Sequence, residues 1–195
     1  MENTTKDILD IINANAYKLY LYNKELNAIS SLKNNEELKI YTSNKFLVRS
    51  IDAIHINFCI LVSILINKNE YYSISKVVDR IEDRYLKNAI LEKIDSDEFK
   101  ESYEKIKILR NKCYAHNDKD TKTLTSEIII AQNDRNIVCN GIIASVKLMC
   151  EKLLEMDNVS FDINKEAEII TQIRVIKEWR ELKTQEAINK IKMLK

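Results

Sequence analysis

The chain has 195 residues, and its 31 Lys and Arg against 30 Asp and Glu leave a net charge of +1, which excludes a globally basic nucleic-acid or membrane-surface protein. Any affinity for a polyanion has to be local. Proline is absent, glycine occurs once and 45% of the residues are hydrophobic, a composition that predicts an all-α fold around one buried core.

The first seven residues, Met1 to Asp7, lack the basic and apolar regions of a secretory signal, so a cytoplasmic protein is expected. A first helix is predicted over about 4–32, with Ile8, Ile11 or Ile12, Leu19, Leu26 and Ile29 near helical spacing and Thr4 or Thr5 as its cap. After the polar stretch 33–37, a second and most hydrophobic helix is predicted over about 37–66. Its apolar run from Phe58 to Ile66 is shorter than the roughly 20 residues a bilayer needs, so a core helix and no membrane contact are expected. Arg49, Asp52 and His55 form an i, i+3, i+6 polar strip in it, read either as a buried hydrogen-bonded network or as support for a site.

A third helix is predicted from Ser73 or Ser75 to Ile94, with Val77, Val78, Ile81, Tyr85, Ile90 and Ile94 as its apolar face. Asp95-Ser96-Asp97-Glu98 resembles a capping box, with Asp95 as the cap and Glu98 reaching back. The fourth helix then runs to about His116, its core face being Phe99, Tyr103, Ile106, Leu109 and Cys113. A polar loop covers 117–123. A fifth helix follows over about 126–156, with a break at Asn133-Asp134 left open. The expected division is an up-and-down bundle over 1–157, then a linker and an additional C-terminal amphipathic helix within 158–195. That helix carries Ile169, Ile173, Ile176, Trp179, Leu182, Ile188 and Ile191, and packs on the bundle or on a partner.

The cysteines, Cys59, Cys113, Cys139 and Cys150, contain no Cys-x-x-Cys pair and read as small core hydrophobes. One metal alternative remains: His55 and Cys59 are four apart and Cys113 and His116 three apart, which could make a Cys2His2 zinc site or continue two apolar stripes. No metal and no cofactor are expected.

The chemistry concentrates at Leu109-Arg110-Asn111-Lys112-Cys113-Tyr114-Ala115-His116-Asn117-Asp118. Arginine neutralises phosphate through a rigid fork of donors, and histidine exchanges protons near neutrality, its unperturbed pKa being about 6.5. On one straight helix Arg110 and His116 lie about 120° and roughly 9 Å apart, too divergent for one phosphate. Two copies packed across a twofold axis would repeat both residues along a shared seam.

The Arg110-Asn111 and His116 spacing resembles the Arg-x(4 to 6)-His signature of the HEPN (higher eukaryotes and prokaryotes nucleotide-binding) superfamily. Phe46-Leu47-Val48-Arg49, Leu65-Ile66-Asn67-Lys68, Ser73-Ile74-Ser75-Lys76 and the 110–118 segment are most similar to its abortive-infection U-type branch, over about 46–118. The resemblance implies an all-helical homodimer that cuts RNA without a metal in an interfacial cleft, as a toxin or abortive-infection effector in prokaryotic defence with a cognate antitoxin or defence partner. His116 would then be the general acid or base, its expected place near a helix C-terminus favouring the protonated ring. Arg110 would stabilise the charged transition state, and Asn111 would bind phosphate or orient His116. Lys112, Tyr114 and Asn117 would contact substrate. The alternative is a catalytically silent HEPN dimer that binds nucleotide, nucleic acid or a partner protein.

Overall fold

The computed structural model describes residues 4–33, 35–111, 131–156, 159, 161 and 167–193, and among them there are eight helices and no strand. They are α1 (Thr5–Ser30), α2 (Asn35–Ser43), α3 (Lys45–Ile66), α4 (Ile74–Val78), α5 (Arg84–Ile94), α6 (Asp97–Leu109), α7 (Gln132–Leu153) and α8 (Glu168–Met193). The chain is all-α, as its composition predicts.

Side-chain caps explain where the helices divide. Thr4 caps α1 in a reciprocal box: its Oγ1 accepts from the Asp7 amide while the Asp7 carboxylate accepts from the Thr4 amide at 2.9 Å. The helix predicted over 37–66 is two helices, because Asn44 turns extended and its Oδ1 accepts from the Phe46 and Leu47 amides. The helix predicted up to Ile94 also divides, since the Asp83 carboxylate accepts from the Tyr85 and Leu86 amides and starts α5 afresh. Ser96, not Asp95, caps α6: its hydroxyl accepts from the Phe99 amide, and Asp95 ends α5 and pairs with Lys100 at 2.9 Å. The break left open at Asn133-Asp134 falls slightly earlier: Ala131 is extended and α7 starts at Gln132, with 126–130 outside the described residues.

The core is built around α1, α3 and α7. Ile8, Leu9, Ile12, Ala16 and Leu19 of α1 meet Phe58, Cys59, Val62 and Leu65 of α3 and Val138, Ile142, Val146 and Met149 of α7, all fully buried. Complete burial of such a side chain is worth about 1.5–3 kcal/mol. By length and composition alone α3 suffices to cross a bilayer, a property that the shorter Phe58–Ile66 run does not reveal. Burial drives the Cys139 thiol up to about 12 and the Cys150 thiol to about 11, which leaves both unionised, as core hydrophobes should be.

A polar layer crosses this core at the start of α7. The Arg135 guanidinium donates to Ser30 Oγ at 3.0 Å, and Asn136 Oδ1 accepts from both Asn23 and Asn27. The Asp134 carboxylate accepts from Ser102 Oγ and Lys105 Nζ at 3.0 Å each, and its second oxygen accepts from the Ala131 amide. That last bond ties down the start of α7, where Ala131 has no side chain to offer. Burial alone would raise the Asp134 carboxyl, but these three donors outweigh it and hold it below its ordinary value.

Helix α8 docks on α1 and α2. Glu25 of α1 caps it from outside, its two carboxylate oxygens accepting from the Glu168 and Ile169 amides at 2.7 and 2.9 Å, where a helix N-terminus favours negative charge. Ile169 and Ile173 are buried, whereas Trp179 and Leu182, further along the helix, are each 58% exposed. The expected apolar face is therefore buried only in the first part of α8. Within the stretch read as a linker, Val159 and Phe161 are buried, with the Phe161 ring 6.4 Å from that of Tyr17.

The single glycine, Gly141, marks a close approach of α7 to α5 and α6. A methyl group added there would stand 2.6 Å from the Lys93 carbonyl oxygen and 2.8 Å from the Phe99 ring. In an exposed helix Gly→Ala gains about 1 kcal/mol. Overpacking should reverse that sign here, so Gly141→Ala is expected to cost about 2 kcal/mol of unfolding free energy in urea titration. An unchanged or raised stability would show that the contact is not tight.

Candidate functional site

Helix α6 is gripped on one side and open on the other. Taking Tyr103 as zero on a wheel of 100° per residue, the buried Phe99, Ser102, Ile106 and Leu109 fall between about 240° and 320°. Lys105, at about 200°, joins Ser102 in bonding Asp134. Lys100, Tyr103, Lys107 and Arg110 fall within the next arc, about 80° wide, and none of the four is buried. Tyr103 therefore packs against the edge of the core, half-buried, and not at its centre as the spacing suggests. Ser102 takes the interior position because Asp134 supplies the partner that its hydroxyl needs.

The open face of α6 forms one wall of a cleft of about 980 Å³. The opposite wall comes from the end of α3 and its following turn, Asn67 to Asn69, with Ser75, Leu91 and Ile94 beyond. Phe99 and Tyr103 stack, their ring centroids 6.4 Å apart and their planes 21° from parallel, and Lys107 Nζ stands 5.9 Å over the Tyr103 ring. Partial burial raises the Tyr103 hydroxyl above its ordinary value, so it stays a neutral donor at physiological pH. Lys100 and Lys107 are paired with Asp95 and Glu104, at 2.9 and 2.7 Å. Such exposed pairs contribute little and exchange readily for a phosphate.

At the mouth of the cleft α6 ends. Arg110 and Asn111 continue it as a π-type turn, a widening frequent at functional positions. Arg110 Nη1 donates to Asn111 Oδ1 at 3.0 Å, so the guanidinium and the amide are held as one unit, both lining the cleft. Of the residues expected at the site, Arg110 and Asn111 are thus together. Lys112, Cys113, Tyr114, His116 and Asn117 lie outside the described residues, and so does half of the four-residue zinc alternative. Among the described residues no three His, Cys, Asp or Glu side chains cluster as a metal site would require.

The polar strip of α3 also departs from expectation. Arg49 and Asp52 are exposed, and only His55 turns inward. Burial, followed by the positive charge of Arg135, holds its ring below the ordinary value, with Asp52 acting in the opposite sense. This ties His55 to the polar layer under α7 and not to the cleft described here.

Sequence reasoning missed Lys68, Lys100, Tyr103 and Lys107. The signal was present for three of them, since positions 100, 103, 107 and 110 follow helical spacing and set cations around one aromatic ring. Lys68 becomes a neighbour only through the packing of α3 on α6. No protein-family model matches the chain, and no curated protein or solved structure matches it.

A His with a lowered folded pKa binds its proton later than the unfolded chain does, so stability is complete above about pH 6.5 and falls as the pH drops below it. The melting temperature of the native protein is therefore expected to fall between pH 7 and pH 5 more steeply than that of His55→Gln. Parallel pH profiles would remove His55 from the account.

Proposed function

We propose that this protein is a metal-independent HEPN-type endoribonuclease, acting in the cytoplasm as a toxin or abortive-infection effector of prokaryotic defence. The observation that carries the reading is the Arg110-Asn111 unit at the mouth of a cleft lined by Lys68, Lys100 and Lys107, with His116 six residues beyond the arginine in sequence. Charge for a phosphate and a proton carrier are then available within one short segment.

RNA supplies its own nucleophile, the 2′-hydroxyl. Its oxygen attacks the adjacent phosphorus, its proton passes to a base, and the 5′-oxygen of the next nucleotide leaves with a proton from an acid. The products are a 2′,3′-cyclic phosphate and a 5′-hydroxyl. His116 takes the acid or base role, worth about 10²- to 10⁴-fold. Arg110 stabilises the doubly charged phosphorane, and Asn111 holds the guanidinium that does so. Lys112, Tyr114 and Asn117 belong to the same segment and supply further substrate contacts.

The bundle is read as HEPN-like and the active species as a homodimer whose seam contains residues 110–116, an arrangement in which two copies present Arg110 and His116 to a shared cleft. A cognate antitoxin or another defence component is the expected partner. The test is incubation of mixed RNA with the purified protein in excess chelator. Cleavage that persists, leaves cyclic phosphate ends and drops at least about 10²-fold in folded His116→Ala and Arg110→Ala is the expected result. Activity lost to chelator and restored by magnesium contradicts the mechanism, and RNA bound but never cut favours the silent binding module.

A further inference from the structure

We infer that the α3–α6 cleft is a subsite for single-stranded RNA, in which an unpaired base stacks on Tyr103 while the backbone phosphates lie along Lys107, Lys68 and Arg110. The inference rests on the ribonuclease reading for the nature of the ligand. Three features of the cleft point to it.

The first is the aromatic platform. Tyr103 is half-buried and backed by the fully packed Phe99, which holds it in place, so little side-chain freedom is lost when a base stacks on it. Every base has a π-face, and stacking on aromatic side chains is how single strands are gripped without dependence on sequence. The second is the arrangement of charge. Lys107 sits over the Tyr103 ring on a flexible, exposed stem. A base arriving on the ring takes that place and leaves the ammonium beside the base's own phosphate. Arg110 lies seven residues beyond Tyr103, about 10 Å along the helix, so base and guanidinium engage successive parts of one strand and not a single group.

The third is the cleft's selectivity for form. The amide side chains of Asn67, Asn69 and Asn111 line the same walls and offer donors and acceptors to the edge of an inserted base. In a duplex that edge is already paired and the face is stacked, so a base has to be unpaired and unstacked before it can enter. The cleft therefore selects unpaired RNA through shape and stacking. Tyr103 sets this specificity without taking part in proton transfer.

The test uses full-length protein carrying His116→Ala, to prevent cleavage, and fluorescence anisotropy of labelled RNA 12-mers, one unstructured and one in a perfect duplex. The unstructured strand is expected to bind at least about tenfold tighter than the duplex. Tyr103→Leu, which keeps apolar bulk against Phe99, is expected to weaken single-strand binding about tenfold, whereas Tyr103→Phe retains it. Lys107→Gln and Lys68→Gln should each flatten the dependence of log K on log salt by about 0.7. Equal binding of strand and duplex, equal binding by the Leu and Phe variants, or no binding at all would overturn the subsite. Circular dichroism checks that the Tyr103 variants are folded. Failure of the ribonuclease reading looks different: the His116-intact protein would bind single strands through Tyr103 and leave them uncut.

Discussion

The contact on which the rest depends is the close approach of α7 to α5 and α6 at Gly141. With hydrogen in place of a side chain, the Lys93 carbonyl and the Phe99 ring come within the space a methyl group would need. Phe99 is thereby pinned at the start of α6, and Asp134, seven residues before Gly141, bonds Ser102 and Lys105 one turn further along. Two anchors thus hold one flank of α6. Its other flank is committed to the cleft, and Tyr103 stacks on the ring that Gly141 admits.

The polar layer at the start of α7 serves the same end. Buried Arg135 and Asp134, with Asn136, would be costly without partners, but the described structure gives them Ser30, Ser102, Lys105, Asn23 and Asn27. Bonds of this kind fix one register between helices where apolar contacts alone would tolerate several. They set α1, α6 and α7 relative to one another, and so set where the end of α6, with Arg110 and Asn111, emerges. The site owes its position to groups that take no part in its chemistry.

Much of the fold is legible in the chain because helix-forming composition leaves few alternatives and apolar spacing marks the buried faces, as at Ile8, Ile12 and Leu19. Boundaries were harder. Asn44 and Asp83 sit within apolar patterns that continue across them, and only the hydrogen bonds they accept show that a new helix starts. Ser96 caps α6 in place of Asp95 because Ser96 is the extended residue next to the first turn and its hydroxyl reaches the Phe99 amide, while Asp95 still closes α5. At the site, Arg110 and Asn111 are legible in the motif but the bond between them is not, and Tyr103 belongs to the edge of the core, where it also lines the cleft. Periodicity assigns a face to a residue but does not reveal that Asp134, 32 positions from Ser102, makes the serine the better interior choice. His55 likewise differs from Arg49 and Asp52 through its burial and the charge of Arg135, 80 positions away in sequence, which spacing does not reveal.

The central claim is that RNA engages this chain along α6 and at its Arg110 end. Photocrosslinking reads that directly: single-stranded RNA containing 4-thiouridine is irradiated on the His116→Ala protein, and the adducts are mapped by mass spectrometry. The account predicts adducts concentrated in residues 100–111 and in the turn at 67–69. Adducts confined to α8, or spread evenly over the surface, would contradict it.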